Sequence, residues 1–286
     1  MKKLLDDKVI VIAGCSGGIG SAVFRKLLLL NAQVIGISRT ENIHLKNFAK
    51  QNNIEYNWIK SDLSSASGWE RAIQYIKDRF GKVDALINCV GILAPGKIEY
   101  LTIDQIDRVI STNFSSLIYS SKVIIPVMKQ QGYGHIINIG SLGGIVPMPY
   151  ETLYSATKFA ARGFSLSLAN ELKGYGIKVS LISPGPVLTK MLAMESVDPD
   201  STIAFVNRPL RADIIADKII QTIFHPRTEV VLPAAAKPAA FLLSLFPQLF
   251  QLILPALNLI GSWNRRKYSK TMNCLINEDD YENSIN

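Results

Sequence analysis

Short apolar runs rich in β-branched residues alternate with longer amphipathic segments along most of this chain. The runs predict buried strands at residues 8–13, 33–37, 56–60, 83–88, 135–140, 177–182 and 229–232. The segments between them predict helices at residues 21–30, 45–52, 69–80, 104–131, 152–173 and 212–224. Strands buried on both faces and joined by helices pair in parallel through right-handed crossovers. We therefore predict an α/β fold, a doubly wound parallel sheet of Rossmann type with six to seven strands and helices on both faces.

The composition supports a large folded domain and excludes several other classes. The chain has 286 residues, 48% of them hydrophobic and 19% charged, which suits a substantial core and not a disordered chain. Its three cysteines and three histidines show no CxxC or metal-ligand spacing, so we predict free thiols in a reducing compartment and no metal site. Only two leucines separate Lys2 and Lys3 from Asp6. That run is too short for a signal peptide, so we expect the folded part of the chain to be cytoplasmic.

The net charge of +8 indicates which partners suit this chain. A basic balance favours anionic partners such as nucleotide phosphates, acidic carrier proteins or anionic lipid. The basic residues are mostly scattered, without the aromatic-interleaved stripe typical of nucleic-acid-binding modules. We therefore predict no nucleic-acid partner.

A glycine-rich turn lies between the first predicted strand and the first predicted helix. Its sequence is Gly14-Cys-Ser16-Gly-Gly18-Ile19-Gly20. Glycine lacks the Cβ that would hold a pyrophosphate away from the free N–H groups of a helix N-terminus, where the helix dipole also favours anions. The position of the turn makes it a candidate dinucleotide site. The alternative is a tight turn without a ligand.

The end of the second predicted strand indicates which dinucleotide binds. An acidic residue there would bind the ribose 2′-hydroxyl of NAD(H), whereas an arginine matches the 2′-phosphate of NADP(H). Ser38 and Arg39 lie there, so we predict NADP(H) in preference to NAD(H). The alternative is an exposed arginine paired with Glu41. Asp62 and Leu63 follow the third strand, where Asp62 would meet the adenine ring or, alternatively, cap a helix.

Tyr154 and Lys158 lie one turn apart in a predicted helix, so their side chains share one face. The pKa of a tyrosine is ordinarily about 10. A neighbouring ammonium favours the phenolate and lowers that pKa by roughly 1–3 units. We therefore expect Lys158 to bring Tyr154 towards the range of a general acid or base. The pair alone is common by chance and gains weight only from its neighbours.

These neighbours complete a pattern that spans about residues 6–232. They lie after the fourth strand, in the long helix, and after the fifth and sixth strands: Asn88, Gly91, Asn113, Ser141, Pro184 and Gly185. In order, spacing and strand context, the whole set resembles the short-chain dehydrogenase/reductase family. The resemblance is to the short single-domain type, here with an apolar C-terminal extension.

The resemblance implies a role for each of four catalytic residues. Tyr154 would exchange a proton with the substrate oxygen, and Ser141 would hydrogen-bond that oxygen as charge develops on it. Lys158 would lower the pKa of Tyr154 and bind the nicotinamide ribose, and Asn113 would hold a water that connects Lys158 to solvent. The nicotinamide itself would carry the hydride. The residues implied to bind the cofactor are Gly14, Ser16, Gly18, Ile19, Gly20, Ser38, Arg39, Asp62, Leu63, Asn88, Gly91, Tyr154, Lys158, Pro184, Gly185, Val187 and Thr189.

Three positions depart from the residues that are usual in this family. Ala13 stands in place of a threonine, Cys89-Val90 replaces Asn-Ala, and Thr157 replaces a serine before the lysine. None of these changes removes a group that takes part in the chemistry. The first two bear on how tightly the neighbouring turns pack.

Residues 190–210, named the lid from here on, lack clean periodicity and lie where the family carries a substrate lid. The residues expected to form an apolar pocket wall there are Met191, Leu192, Met194, Phe205 and Val206. A surface excursion with a short helix is the alternative.

An apolar arm follows the last predicted strand. From Pro238 to Asn264 it has no charged residue, and Arg265-Arg266-Lys267 comes next. About 20 apolar residues suffice to span a bilayer, but Pro247 and Pro255 interrupt this segment. It therefore favours two short amphipathic helices in the membrane interface, with the basic cluster at anionic head groups. An arm packed on protein and a true span are the alternatives.

Together these features predict an NADP(H)-dependent oxidoreductase that interconverts a ketone and a secondary alcohol on a lipophilic substrate. One alternative is a soluble 3-oxoacyl carrier-protein reductase, against which the uncharged arm argues. A non-catalytic dinucleotide-binding sensor is the other, against which the complete catalytic set argues.

The resemblance also implies a homo-oligomer built through the helices at 104–131 and 152–173. The predicted parts are the NADP-binding catalytic domain (1–232), the helical arm (233–270) and a polar, disordered tail (271–286).

Overall fold

The structure is a computed structural model that describes residues 5–276. Its strands are β1 Val9–Ala13, β2 Gln33–Ser38, β3 Asn57–Lys60, β4 Ala85–Asn88, β5 Gly134–Ile139, β6 Ile177–Pro184, β7 Val187–Leu188, β8 Leu210–Arg211 and β9 Glu229–Leu232. Seven of them form one parallel sheet in the order β3-β2-β1-β4-β5-β6-β9, while β7 and β8 pair separately. This sheet confirms the predicted fold class.

Helices cover both faces of the sheet. They are α1 Gly18–Leu28, α2 Ile43–Gln51, α3 Ala66–Phe80, α4 Ile103–Ile110, α5 Ser116–Gln131, α6 Thr152–Glu171, α7 Lys190–Ser196, α8 Ala212–Phe224, α9 Lys237–Leu245 and α10 Pro247–Ile276. Successive strand residues point to opposite faces. Accordingly, Ile10 and Ile12 pack with α1 and α8, whereas Val9 and Val11 pack with α3 and α5.

The strand order reverses next to β1, and this reversal positions the site. From β1 the chain builds β2 and β3 on one side, then crosses to β4, β5 and β6 on the other. Ala13, the last residue of β1, is in register with Ile37 on β2 and Asn88 on β4. Ligands of such sheets bind in the crevice that opens at the carboxyl ends of the strands at this point.

Two of the predicted helices differ in detail from the structure. The long helix predicted over 104–131 is divided into α4 and α5 by a wider π-helical turn, Ser111–Ser115, and Pro126 lies inside α5. The helix predicted to close at Gly174 ends at Glu171, and Gly176 takes the left-handed conformation after a 3-10 turn. A Cβ on Gly176 would meet a main-chain oxygen at 2.2 Å, so close backbone packing fixes the turn at that glycine.

The arm is more continuous than its prolines predict. Pro247 begins α10, where its missing N–H has no helical partner to lose. Pro255 lies inside α10, so the predicted break there is wrong; this residue is exposed, and water can satisfy the carbonyl that its ring leaves unbonded. The helix also continues past residue 270, and the predicted disorder of 277–286 lies outside the described residues. In the described part of the chain, no helix is both long enough and apolar enough to cross a membrane.

Candidate active site

The glycine-rich turn forms a tight cradle at the start of α1. Gly14 has φ +80°, a conformation that L side chains rarely adopt, and α1 begins at Gly18. A Cβ on Gly18 would lie 2.4 Å from Cγ2 of Thr189, and one on Gly20 would lie 2.2 Å from the carbonyl oxygen of Gly14. Ser16 is exposed beside the helix N-terminus. A turn that has room only for glycine at residues 14, 18 and 20, and that leads into a helix N-terminus, fits a pyrophosphate.

A cleft runs from this turn across the ends of β2, β3 and β4. Its lining residues are Gly14, Ser16, Gly17, Ser38, Arg39, Ser61, Asp62, Leu63, Ser64, Cys89, Val90, Gly91 and Thr112. Seven of them are sequence-predicted cofactor residues, and the others were missed because they only flank the motif positions. We name this the nucleotide cleft.

Arg39 is exposed at the nucleotide cleft, and its predicted alternative partner is engaged elsewhere. Glu41 forms an ion pair with Lys46 at 3.2 Å. Ser38, by contrast, is buried, and its hydroxyl donates to the carbonyl of Thr40 at 2.7 Å. This pairing leaves the serine in a structural role and the arginine on the open side of the cleft.

Asp62 closes a turn and does not cap a helix. Its Oδ1 accepts hydrogen bonds from the main-chain N–H of Ser64 at 3.1 Å and from the Ser64 hydroxyl at 2.8 Å. These bonds, with a smaller contribution from the charge of Arg39, lower the pKa of the Asp62 carboxyl. The N-cap of α3 is Ser65, so the capping role considered for Asp62 is wrong.

The predicted catalytic residues meet where β5 and α6 adjoin. Ser141 follows β5, and its Oγ accepts from the N–H of Gly143 at 3.0 Å. Its side chain also lies close enough to Tyr154 to act on the pKa of the phenol. Lys158 lies one turn further along α6 and donates to the carbonyl of Ile139 at 3.0 Å. Its Nζ is 5.5 Å from the centroid of the Tyr154 ring. The structure thus brings a phenol, a hydroxyl and an ammonium together.

Asn113 joins the π-helical turn to α6. Its Oδ1 accepts from the N–H of Ile92 at 2.8 Å, and its Nδ2 donates to the Ile92 carbonyl at 2.9 Å and to Thr157 Oγ1 at 3.2 Å. Thr157 in turn donates to the carbonyl of Tyr154 at 2.8 Å. The threonine that departs from the family's usual serine therefore keeps the hydroxyl that ties Asn113 to the catalytic helix.

The pKa values at this centre are governed mainly by burial. Burial raises the pKa of Tyr154; the Ser141 side chain opposes this change, and the charges of Glu151 and Glu195 add to it. Burial lowers the pKa of Lys158 to about 8. Lys158, whose ammonium donates to the Ile139 carbonyl, is not among the groups that shift the Tyr154 pKa, so the expected lowering is not found.

Two buried glutamates that sequence reasoning missed lie close to Tyr154. Glu151 immediately precedes α6 and is 4% exposed, and Glu195 lies on α7 and is 7% exposed. Their carboxyl groups lie close enough to act on each other's pKa, and burial is the largest cause that raises the pKa of both. Within residues 5–276, Glu195 Oε1 has no hydrogen-bond partner. No spacing in the sequence signals this pair, because it forms only when the lid folds over α6.

Of the remaining predicted cofactor residues, some form hydrogen bonds that hold strands together, and others lie at the ends of strands and helices. Asn88 is buried, and its Nδ2 donates to Asn138 Oδ1 at 2.8 Å, which ties β4 to β5. Gly185 donates its N–H to the Leu232 carbonyl at 2.6 Å. The others are Ile19 in the first turn of α1, Pro184 at the end of β6, Val187 in β7 and Thr189 before α7.

The lid contributes less pocket wall than its apolar residues predict. Phe205 and Leu192 are buried, and they pack against α10. Met194 is 55% exposed, so it is not packed in the protein, and its place in the wall stays a prediction. Met191 approaches the cleft, with its Cε 4.0 Å from where a Cβ on Gly91 would lie. A short helix that packs on the arm explains why the apolar positions have no simple period.

Comparisons with known proteins agree with this geometry. The family model described as short chain dehydrogenase matches residues 8–200. An uncharacterised oxidoreductase of Staphylococcus epidermidis is 31% identical over 220 residues, which cover 77% of this chain and 92% of that protein. A 3-ketodihydrosphingosine reductase of Bacteroides thetaiotaomicron is 32% identical over 183 residues, which cover 63% of this chain and 64% of that protein.

A solved structure shares the fold. The crystal structure of levodione reductase superimposes with a TM-score of 0.73 at 22% identity, covering 80% of this chain and 96% of that one. The family match spans most of the strands, the glycine-rich turn and the catalytic helix. The chain therefore belongs to the short chain dehydrogenase family of oxidoreductases, whose cofactor is an NAD(P) dinucleotide.

Proposed function

We propose that this protein is an NADP(H)-dependent oxidoreductase that interconverts a ketone and a secondary alcohol on a lipophilic substrate. The observation that carries the proposal is that the side chains of Tyr154 and Ser141 meet, with Lys158 one helical turn away on α6. A phenol held beside a second hydroxyl can exchange a proton with a substrate oxygen while the hydroxyl stabilises charge on it.

Each catalytic side chain has one task in this proposal. In the reducing direction Tyr154 donates its proton to the ketone oxygen, and in the oxidising direction its phenolate accepts the alcohol proton. Ser141 donates a hydrogen bond to the same oxygen. Lys158 supplies positive charge and a donor for the ribose, and Asn113 positions α6 through Thr157. When bound, the nicotinamide supplies or accepts the hydride.

The preference for NADP(H) is supported by Arg39. A planar guanidinium on the open side of the nucleotide cleft can bind a 2′-phosphate through two parallel hydrogen bonds. The nearest acidic candidates are otherwise engaged, Glu41 with Lys46 and Asp62 within its own turn. Neither carboxylate is therefore arranged to favour a ribose 2′-hydroxyl instead.

The lipophilic substrate class is supported by the apolar lid and arm and by one relative. The relative named 3-ketodihydrosphingosine reductase makes a sphingoid ketone one member of the class to test. Peripheral contact of residues 238–267 with a membrane and assembly into a homo-oligomer are further parts of the proposal.

The direct test is NADPH oxidation by the purified protein with a panel of ketones of increasing chain length, run in parallel with NADH. We expect turnover that rises with chain length, and a kcat/KM for NADPH at least about tenfold above that for NADH, the ratio expected from one charge-assisted contact. A protein that binds NADPH but oxidises it with no ketone of the panel would support the sensor instead.

A further inference from the structure

Helix α10 has two apolar faces, and within residues 5–276 only one of them packs on the protein. The packed face recurs every three or four residues and comprises Phe250, Leu254, Leu257, Gly261, Asn264, Tyr268, Met272 and Leu275, all buried or half-buried. The opposite face follows the same spacing and comprises Leu249, Leu252, Ala256, Leu259, Ile260 and Trp263, all exposed. Leu252, Leu259 and Trp263 are 77%, 75% and 66% exposed.

The packed face holds the lid. Asn264 donates to the carbonyl of Phe205 at 2.9 Å, and Arg265 donates to the carbonyl of Asp198 at 2.7 Å. Thr202 donates to Asn258 Oδ1 at 2.8 Å. A Cβ on Gly261 would lie 2.1 Å from the Thr202 carbonyl oxygen, so this approach requires glycine. The position of the lid therefore depends on the position of α10.

Exposed apolar residues are also found in α9, and the charged residues of this segment are all basic. Leu242, Leu245 and Phe246 extend the apolar surface at the junction of the two helices. Between residues 230 and 277 the sequence has five basic residues and no acidic one. Of the basic residues, Lys237, Arg266, Lys267 and Lys270 are exposed. We name the exposed apolar residues of α9 and α10 the outer face.

An exposed apolar surface flanked by basic residues is more stable in a membrane interface than in water. Monomeric proteins rarely expose a contiguous apolar patch of this kind without a partner. A helix with leucine and tryptophan on one side and basic residues at its end typically lies in the plane of a membrane interface. Because residues 230–277 contain no acidic side chain to oppose these basic residues, the surface complementary to this segment is anionic.

We propose that the outer face of α9 and α10 docks in the plane of an anionic bilayer and holds the lid at the membrane surface, so that the substrate reaches Tyr154 from the lipid. The docking is independent of the reaction, whereas the substrate route rests on the proposed function. The lid lies between α10 and the site, since Leu192 and Phe205 pack with Met272 of α10, while Met191 Cε lies 4.0 Å from where a Cβ on Gly91 of the nucleotide cleft would be. Docking and substrate entry are thereby joined through one segment.

Vesicle flotation of the full-length protein tests the docking. The probes are vesicles of phosphatidylcholine alone and of phosphatidylcholine mixed with phosphatidylglycerol. We expect the protein to float with the mixed vesicles and much less with the neutral ones. The variant Leu252→Ser/Leu259→Ser/Trp263→Ser should bind at least about a hundredfold more weakly, because three apolar side chains no longer enter the interface. Replacing Arg266 and Lys267 by glutamate should weaken binding to the mixed vesicles by roughly thirtyfold or more.

Matched controls separate docking from general surface effects and from self-association. Leu29→Ser/Ile43→Ser/Ile214→Ser changes three exposed apolar residues of the catalytic domain and should float like the wild type. Light scattering without lipid should give the same mass for the wild type and the outer-face variant. A wild type that stays with neither vesicle, an outer-face variant that floats undiminished, or one that only loses oligomeric mass would each overturn the proposal. The last outcome would make the outer face a contact between copies.

The substrate route has its own measurement. We expect the outer-face variant to reduce a short water-soluble ketone at the wild-type rate but to lose turnover of a long-chain ketone dissolved in mixed vesicles. Equal loss on both ketones, or no loss on either, would contradict the route. If the wild type reduced neither ketone yet still floated, the proposed function would fail and the docking would stand.

Discussion

At the scale of single residues, the proposed preference for NADP(H) rests on the exposed guanidinium of Arg39. Arg39→Asp would replace two charge-assisted hydrogen bonds to the 2′-phosphate with repulsion. We expect KM for NADPH to rise by roughly 10- to 100-fold, while KM for NADH stays the same or falls. Steady-state kinetics with both dinucleotides measure this.

Arg71→Asp is the matched control for this prediction. Arg71 is an exposed arginine of α3 outside the nucleotide cleft, so the same change of charge there should leave both KM values unchanged. If both substitutions raised KM for NADPH equally, the effect of Arg39→Asp would come from the net charge of the protein and not from a contact with the 2′-phosphate.

The buried Glu151–Glu195 pair makes a pH-dependent contribution to stability. Its pKa values are raised above the ordinary 4.5, so the contribution is fully present below about that pH and is lost as pH rises through the raised values. Glu195→Gln cannot ionise. We therefore expect its free energy of unfolding, relative to the wild type, to increase from acidic to alkaline pH in denaturant titrations.

Glu70→Gln, on the exposed side of α3, is the control for the buried pair. The difference between its free energy of unfolding and that of the wild type should be the same at every pH. A Glu195→Gln variant that also tracked the wild type would show that ionisation of the pair costs the folded state nothing.

At the scale of elements, Trp69 fixes α3 to the loop that carries Asp62 and Leu63. The side chain is fully buried, and its Nε1 donates to the Leu63 carbonyl at 3.0 Å and to Ser116 Oγ at 3.1 Å. Trp69→Phe keeps most of the apolar contact but leaves both acceptors unbonded. We expect a loss of about 1–3 kcal/mol in the free energy of unfolding, measured by denaturant titration followed by circular dichroism.

Trp263→Phe serves as the matched change for Trp69→Phe. Its indole is exposed on α10, so the free energy of unfolding should change by less than about 0.5 kcal/mol. A similar loss for both variants would attribute the effect of Trp69→Phe to the residue type rather than to its two hydrogen bonds.

The strands and helices around the sheet could be predicted because each shows its own pattern of apolar residues in the sequence. Strand β1, buried on both faces, is a continuous apolar run, and the glycine-rich turn after it marks the start of a helix. Pro255 misled the prediction. A proline costs a helix less where water can bond the carbonyl that it leaves free, and exposure is not visible in the sequence.

The candidate site could be predicted only where neighbouring positions in the sequence or in the sheet bring its residues together. Tyr154 and Lys158 are close in sequence, and Ser141 lies at the end of the neighbouring strand, so topology alone brings the three together. Glu151 and Glu195 lie on different elements, and their contact depends on how the lid folds over α6. The direction of the Lys158 ammonium, which decides its effect on Tyr154, likewise needs coordinates.

At the scale of the whole molecule, the arm and the catalytic domain share buried surface. Phe250 of α10 packs with Leu142 and Val231, and Met272 packs with Leu192 and Phe205 of the lid. Because these clusters join both parts, we expect the arm to unfold together with the sheet. The fluorescence difference between the wild type and Trp263→Phe follows the arm, and circular dichroism follows the sheet.

The two probes should give one transition at the same denaturant concentration. If the Trp263 signal changed at a clearly lower concentration than the sheet, the arm would be a separate unit docked on the domain. The lid, which depends on α10, would then lose its support before the site unfolds.

The central claim is that Tyr154 transfers the proton beside a bound NADPH. Its most direct test is to measure NADPH affinity by fluorescence and kcat for ketone reduction on the same preparation of Tyr154→Phe, with the exposed Tyr175→Phe as control. We predict unchanged NADPH affinity and a kcat lowered by roughly 100- to 10,000-fold, since one general acid is removed. Wild-type turnover by Tyr154→Phe would contradict the claim.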